Sequence, residues 1–231
     1  EASRERMAFV LEALEKALTA QPAGARLRIV ELGSVSSAFT RRLATLAEKH
    51  GASLTVFEAR DNAQRGLELA FENDAHVRIL KKSELATLTS FDLVVSASDG
   101  LYSLIEDDVA VRTALRSALR DTGGLIAAVS APSLFNDFAL GLSEGWFARS
   151  QTAEFPIGNL AAVPHWQKCL GDLDLRDVNI ADRECASGNV ILLEARGAAA
   201  ASVTAEAPVT GAYLLLQIAG DKGNAPSAPA I

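Results

Sequence analysis

The chain has 231 residues, of which 49 % are hydrophobic and 22 % are charged, a balance that excludes a disordered chain and is typical of a packed globular protein. The net charge of −7 at pH 7 argues against a nucleic-acid binder, because phosphates would meet no excess of lysine and arginine. No apolar run has the length of a membrane span and no secretory signal opens the chain, so we expect a cytoplasmic protein that contacts no membrane.

Helical and strand-like segments alternate as far as Ser130. Apolar residues recur at helical spacing before Pro22 and predict a leading helix within residues 1–24. Short apolar runs typical of buried strands follow at 27–32, 54–58, 76–80, 91–97 and 125–130. Helices are predicted between them at 38–50, 63–71 and 109–119. Ser36 or Ser37 caps the first of these helices. The alternation predicts a doubly wound parallel sheet.

The pattern changes after Ser130. A long segment with aromatic residues, 135–166, precedes two strand-like runs at 173–180 and 189–195. Only a short turn with Gly188 separates these runs, so they should pair as an antiparallel hairpin. Parallel strands followed by such a hairpin are similar to the arrangement of class I methyltransferases and differ from that of nucleotide dehydrogenases. We therefore predict an α/β, Rossmann-like fold with a seven-stranded, mostly parallel sheet.

The composition changes again after Gly197. Residues 1–197 are predicted to form one domain, and the run of small residues at 198–210 predicts a linker. Within 211–231, the first eight residues have the character of one more strand, and the rest, rich in Pro, Ala and Ser, are predicted to be disordered. The extra strand either adds to the edge of this sheet or opens a neighbouring domain.

The turn from Glu31 to Ser37 follows the first strand, where a Rossmann-like sheet holds its cofactor. Such turns use glycines so that the backbone bends sharply and approaches the ligand. Gly33 is present, but Val35 and Ser37 occupy the next two glycine positions. We expect the two methyls of Val35 to project toward the ligand space. Glu58, which ends the second strand, is either the carboxylate that accepts the ribose hydroxyls or an ordinary surface glutamate.

Several segments resemble the C-methyltransferase domains of polyketide synthases. The stretch 28–40 resembles that family's first motif, in which glycines stand at the positions of Val35 and Ser37. Phe138-Ala-Leu-Gly-Leu-Ser-Glu-Gly-Trp-Phe147 is similar to the family's Phe-Gly-Leu-Leu-Glu-Gly-Trp-Trp signature. Further similarities to its fourth strand, its Pro-Gly-Gly turn and its Trp-x-x-Leu-Leu helix lie at 91–95, 121–125 and 166–170.

The resemblance implies a catalytic His–Glu pair that removes a proton from the α-carbon of the substrate. The histidine position falls on 101–103, with Tyr102 as its counterpart, and the glutamate position falls on Ser130. Neither hydroxyl is a strong base at neutral pH, because both are protonated there. Two loop glycines are missing as well. The resemblance therefore implies a degenerate, catalytically inactive pseudo-methyltransferase in which Glu31, Gly33, Val35, Ser37 and Glu58 are vestiges of a cofactor site.

We therefore expect a structural domain of a modular polyketide synthase without a bound cofactor. Its expected partners are the adjoining domains of the synthase, above all a ketoreductase, and an acyl carrier protein. The alternative is an active C- or O-methyltransferase domain that uses S-adenosylmethionine. A nicotinamide-binding reductase is a third interpretation, against which the hairpin and the missing glycines both count.

No metal site is predicted. The two cysteines, Cys169 and Cys185, lack the close cysteine or histidine neighbours of a zinc site. The histidines, His50, His76 and His165, share no local motif, so we expect them to be surface or structural residues.

Overall fold

The computed structural model describes residues 2–22, 24–87, 91–119, 123–142, 145–149, 152–185 and 188–197. The predicted linker at 198–210 and the predicted strand and tail at 211–231 lie outside the described residues. The helices are α1 (Ala2–Thr19), α2 (Ser37–Lys49), α3 (Asp61–Ala70), α4 (Leu101–Glu106), α5 (Val109–Leu119), α6 (Leu134–Leu140) and α7 (Val163–Asp172), with a 3₁₀ helix at Lys82–Thr87. The strands are β1 (Arg28–Leu32), β2 (Ser53–Phe57), β3 (Val77–Leu80), β4 (Leu93–Ser96), β5 (Gly124–Ser130), β6 (Leu175–Arg183) and β7 (Val190–Gly197).

One seven-stranded sheet organises the domain, with the strand order β3-β2-β1-β4-β5-β7-β6. Neighbours from β3 to β5 pair in parallel, whereas β7 runs antiparallel to both β5 and β6. The predicted α/β fold with a mostly parallel sheet and a final antiparallel hairpin is confirmed. The strand order reverses between β1 and β4, and Rossmann-like sheets bind ligands at the carboxyl ends of the strands beside such a point.

Helices cover both faces of the sheet, and β5 shows how the sequence divides between them. All seven residues of β5 are buried. Its residues Leu125, Ala127 and Val129 belong to the apolar cluster with α4, α5 and α7, whereas Ile126 and Ala128 belong to the cluster with α1, α2 and α3. Side chains alternate between the two faces of a strand, so a central strand covered on both faces reads as one continuous apolar run.

Two features of the fold differ from the prediction. The six-residue α4 and the seven-residue α6 were not predicted, because helices of that length show too little periodicity to be recognised. The first hairpin strand, β6, begins later than predicted, since Leu173 is the C-cap of α7 and Asp174 turns the chain with a positive φ of 60°. Ser36 proves to be the cap of α2, because its hydroxyl accepts a hydrogen bond from the Phe39 N–H at 3.2 Å. Among the described helices none is long and apolar enough to cross a membrane.

Candidate functional site

The turn after β1 lies at the point where the strand order reverses. Gly33 has a φ of +71°, which glycine adopts without strain. A Cβ added at Gly33 would lie 3.3 Å from Cβ of Ser98 and 3.7 Å from a methyl of Leu104. The Gly33 N–H donates to the Phe57 carbonyl at 2.8 Å. This glycine therefore lets the turn bend sharply and lie close to the segment after β4.

A buried carboxylate holds this turn to α2. Glu31 is fully buried, and its Oε2 accepts a hydrogen bond from the Thr40 hydroxyl at 2.7 Å. The Thr40 hydroxyl also lies 3.0 Å from that of Ser34. The second carboxylate oxygen, Oε1, has no hydrogen-bond partner within the described part of the chain. Burial raises the pKa of Glu31 to about 7, because the charged form loses its hydration.

The two residues at the predicted glycine positions face different surroundings. Val35 is partly buried and packs against the apolar cluster of α1, α2 and α3. The Val35 side chain therefore packs partly against the protein, whereas we predicted that its methyls project toward the ligand space. Ser37 is exposed and opens α2, directly after the capping Ser36.

Glu58 is paired within its own chain. It follows β2 and is only 2 % exposed. Arg60 binds it through two parallel hydrogen bonds, from Nε to Oε1 at 2.8 Å and from Nη2 to Oε2 at 2.9 Å. Arg60 Nη2 also donates to the Ser34 carbonyl at 3.0 Å. Hydrogen bonds from Arg60 lower the pKa of Glu58 against the opposing effect of burial, so the carboxylate is ionised at neutral pH.

Ser130, the predicted glutamate position, contacts a buried arginine from α1. Arg6 is 4 % exposed, and its Nη1 donates to Ser130 Oγ at 2.5 Å. The same guanidinium forms an ion pair with Asp99 at 2.8 Å and donates from Nε to the Ala97 carbonyl at 3.2 Å. Asp99 also accepts the Ser130 backbone N–H at 2.8 Å. A cation and its partners therefore occupy the carboxyl ends of β4 and β5.

Tyr102, the predicted histidine position, is buried on α4 among other rings. Its hydroxyl forms a hydrogen bond with Nε2 of His165 on α7. Phe155 and Trp166 pack edge-on against its ring, with centroids at 5.1 and 5.5 Å. The guanidinium of Arg149 lies 5.3 Å from the ring centroid. Burial raises the pKa of the Tyr102 hydroxyl above its ordinary value, so this group is protonated at neutral pH.

The structure gives the two predicted dyad positions different partners, His165 for Tyr102 and Arg6 for Ser130. His165 is a buried residue that ties α7 to α4, which agrees with the structural role expected for the histidines. Its Nδ1 lies 3.7 Å from Glu154 Oε1, too far for a hydrogen bond. Among the described residues no group of three histidine, cysteine or acidic side chains lies close enough together to hold a metal ion.

Within the Gly-Trp-Phe element of the sequence signature, Trp146 packs against Gly158, whereas Phe147 is exposed. Trp146 is buried, and its indole ring lies so close to Gly158 that no side chain fits there. Gly158 also has a φ of +56°, which independently favours glycine. Ser143 and Glu144 of the same signature lie outside the described residues.

Sequence reasoning missed Arg6 and Arg60, although both left a signal. Arg6 stands four residues before Val10 and is therefore in line with the buried stripe that continues to Leu14. A charged residue on such a stripe needs a buried partner. Arg60 stands two residues after Glu58, within reach of its carboxylate.

Comparisons with known proteins identify relatives only among solved structures. No family model and no curated protein matches the chain. The CurJ carbon methyltransferase is 15 % identical, with a TM-score of 0.66, over 85 % of this chain and 55 % of that chain. The CMeT domain of the citrinin polyketide synthase is 19 % identical, with a TM-score of 0.60, over 82 % of this chain and 52 % of that one. The chain thus spans about half the length of these two relatives.

A third similar structure is the magnesium protoporphyrin IX methyltransferase ChlM from Synechocystis PCC 6803, which was solved with bound S-adenosylhomocysteine. It is 16 % identical, with a TM-score of 0.54, over 81 % of this chain and 82 % of that chain. At such low identities the similarity establishes the fold. The chain has the class I methyltransferase fold.

Replacing Glu31 with glutamine should change how stability depends on pH. The folded protein holds this carboxyl at a pKa of about 7, above the 4.5 of an unperturbed glutamate, so its contribution is present in acid and is lost as pH rises through 7. Relative to wild type, Glu31→Gln should therefore gain roughly 2–3 kcal/mol of unfolding free energy between about pH 5 and pH 8. Urea titrations at several pH values measure this. Glu48→Gln, an exposed change on α2, is the control, and parallel profiles for wild type and Glu31→Gln would contradict the assignment.

Replacing Arg6 with leucine should destabilise the domain strongly. Asp99 and Ser130 would lose the guanidinium that satisfies them, and such a loss costs about 2–4 kcal/mol of unfolding free energy. Arg4→Leu is the matched control, since Arg4 is exposed on the same helix and should shift the unfolding free energy by about 0.5 kcal/mol or less. Equal unfolding midpoints for the two variants would show that the buried ion pair contributes little.

Proposed function

We propose that this chain is a catalytically inactive, methyltransferase-like domain of a modular polyketide synthase, with a structural role beside an adjoining ketoreductase. Two of the similar solved structures are named as a carbon methyltransferase and as a polyketide synthase CMeT domain, and the signature around Trp146 points to the same group. An acyl carrier protein and the neighbouring synthase domains are the proposed partners, and no S-adenosylmethionine is held.

The single observation that carries the proposal of inactivity is the position of Arg6. Removal of a proton from an α-carbon requires a base that is unprotonated at neutral pH and free to reach the substrate. At the carboxyl ends of β4 and β5, the buried Arg6 already engages Asp99 and Ser130. Asp99 is ion-paired, Ser130 is a hydroxyl, and Tyr102 is protonated and bonded to His165. None of these groups meets the requirement.

An active transferase dependent on S-adenosylmethionine is the second candidate. It is favoured by Gly33 and Glu58, which stand where a cofactor turn and a ribose-binding carboxylate are needed. Its reaction would be either C-methylation or O-methylation. The assay below tests the C-methylating form of this candidate, and a titration with S-adenosylmethionine tests both forms.

Introducing the His–Glu pair at Tyr102 and Ser130 should not produce methylation activity. In Ser130→Glu the new carboxylate would meet the Arg6 guanidinium, and in Tyr102→His the new imidazole would lie beside His165. We therefore expect no methylated product from wild type or from the double variant. The assay incubates either protein with a carrier-bound β-ketoacyl substrate and S-adenosylmethionine and analyses the product by mass spectrometry.

Each other outcome has a definite meaning. A methylated product from wild type would overturn the proposed inactivity. A product from the double variant alone would show that cofactor binding survives and that only the base has been lost. The single variants, run in parallel, show which position limits the reaction.

A further inference from the structure

The ion pair of Glu58 and Arg60 leaves the carboxylate little capacity for another donor. A carboxylate accepts about four hydrogen bonds. Arg60 supplies Nε at 2.8 Å, Nη2 at 2.9 Å and its backbone N–H at 2.9 Å. These three hydrogen bonds fill three of the roughly four accepting positions of the carboxylate. All of these donors belong to Arg60, so a ribose that binds through both of its hydroxyls would have to displace one of them.

The guanidinium also spans the space between two elements of the site. Besides binding Glu58 after β2, Arg60 Nη2 donates to the Ser34 carbonyl in the turn after β1, at 3.0 Å. In Rossmann-like folds the ribose lies between these two elements, where the carboxylate accepts its hydroxyls. The residues present therefore do not fit an adenosyl cofactor as they stand.

We propose that Arg60 is an internal ligand of Glu58 that excludes the ribose of an adenosyl cofactor, and that removing its side chain uncovers an adenosine site. This inference rests on the proposed absence of cofactor binding in the wild-type chain. It attributes the absence of cofactor binding to the Arg60 side chain, which lies where the ribose would bind. Val35 and Ser37 belong to the turn that would surround the methionine end, so adenosine, which lacks that end, tests Arg60 alone.

The experiment titrates adenosine and S-adenosylhomocysteine into the full chain by calorimetry and by thermal shift. Wild type and Arg65→Ala should show no binding of either ligand; Arg65 is an exposed arginine on α3 and serves as the matched control. Arg60→Ala should bind adenosine. Its Tm should rise by about 3–5 °C at adenosine concentrations about tenfold above Kd. Adding Glu58→Gln to Arg60→Ala should weaken this binding at least about tenfold, because the amide accepts fewer hydrogen bonds than the carboxylate.

A second variant covers the case in which Arg60→Ala does not fold. Arg60→Lys keeps a positive charge beside Glu58, but one ammonium cannot form the parallel pair of hydrogen bonds and also reach the Ser34 carbonyl. It should bind adenosine measurably, though more weakly than Arg60→Ala.

The outcomes separate this inference from the proposed function. If the folded Arg60 variants bind no adenosine while wild type binds no S-adenosylhomocysteine, the inference is wrong and the inactive domain stands. If adenosine binding by Arg60→Ala persists unchanged with Glu58→Gln, the ligand occupies another place and the inference is also wrong. If wild type binds S-adenosylhomocysteine with micromolar affinity, the proposed absence of cofactor binding is wrong, and the inference that rests on it is wrong as well.

Discussion

The buried guanidinium of Arg6 is the constraint on which the carboxyl edge of the sheet depends. Its helix α1 packs Val10 and Leu14 against the sheet, and this apolar packing places the charge against β4 and β5. A charge that is 4 % exposed is stable only when it is paired and hydrogen-bonded. Asp99 and Ser130 are therefore held as its partners. The packing of α1 thus places Arg6 against Asp99 and Ser130, and this contact underlies the proposed lack of a catalytic base.

A second ion pair within the chain, Arg60 with Glu58, lies directly after β2, where a Rossmann-like fold binds the ribose of its cofactor. In both places a polar group that a substrate or cofactor would engage is engaged by the chain itself. Gly33 gives the turn after β1 the sharp bend that a cofactor turn requires, whereas the side chains of Arg60 and Glu58 bind each other beside it. Arg6 and Glu58 therefore need no bound ligand to balance their charges, which suits the proposed structural role.

The sequence predicted the fold better than the site, for physical reasons. Strands such as β5 are recognised because burial on both faces makes them continuous apolar runs, and the hairpin is recognised from the short turn at Gly188. The alternation also placed Ser130 at the carboxyl edge. The partners were missed because Arg6 lies 124 residues from Ser130, and His165 lies 63 residues from Tyr102. Local patterns carry no information about such contacts, and α4, which positions Tyr102, is too short to show a period.

Because Arg6 and Arg60 bind the polar groups at the carboxyl edge of the sheet, we expect the wild-type chain to hold no S-adenosylmethionine. The most direct measurement is a calorimetric titration of S-adenosylmethionine into the unmodified full chain, carried to millimolar ligand. We expect no heat beyond that of dilution, because Arg60 already fills three of the roughly four accepting positions of Glu58. A saturable isotherm with micromolar affinity would contradict it, since a ribose would then have displaced Arg60 without help.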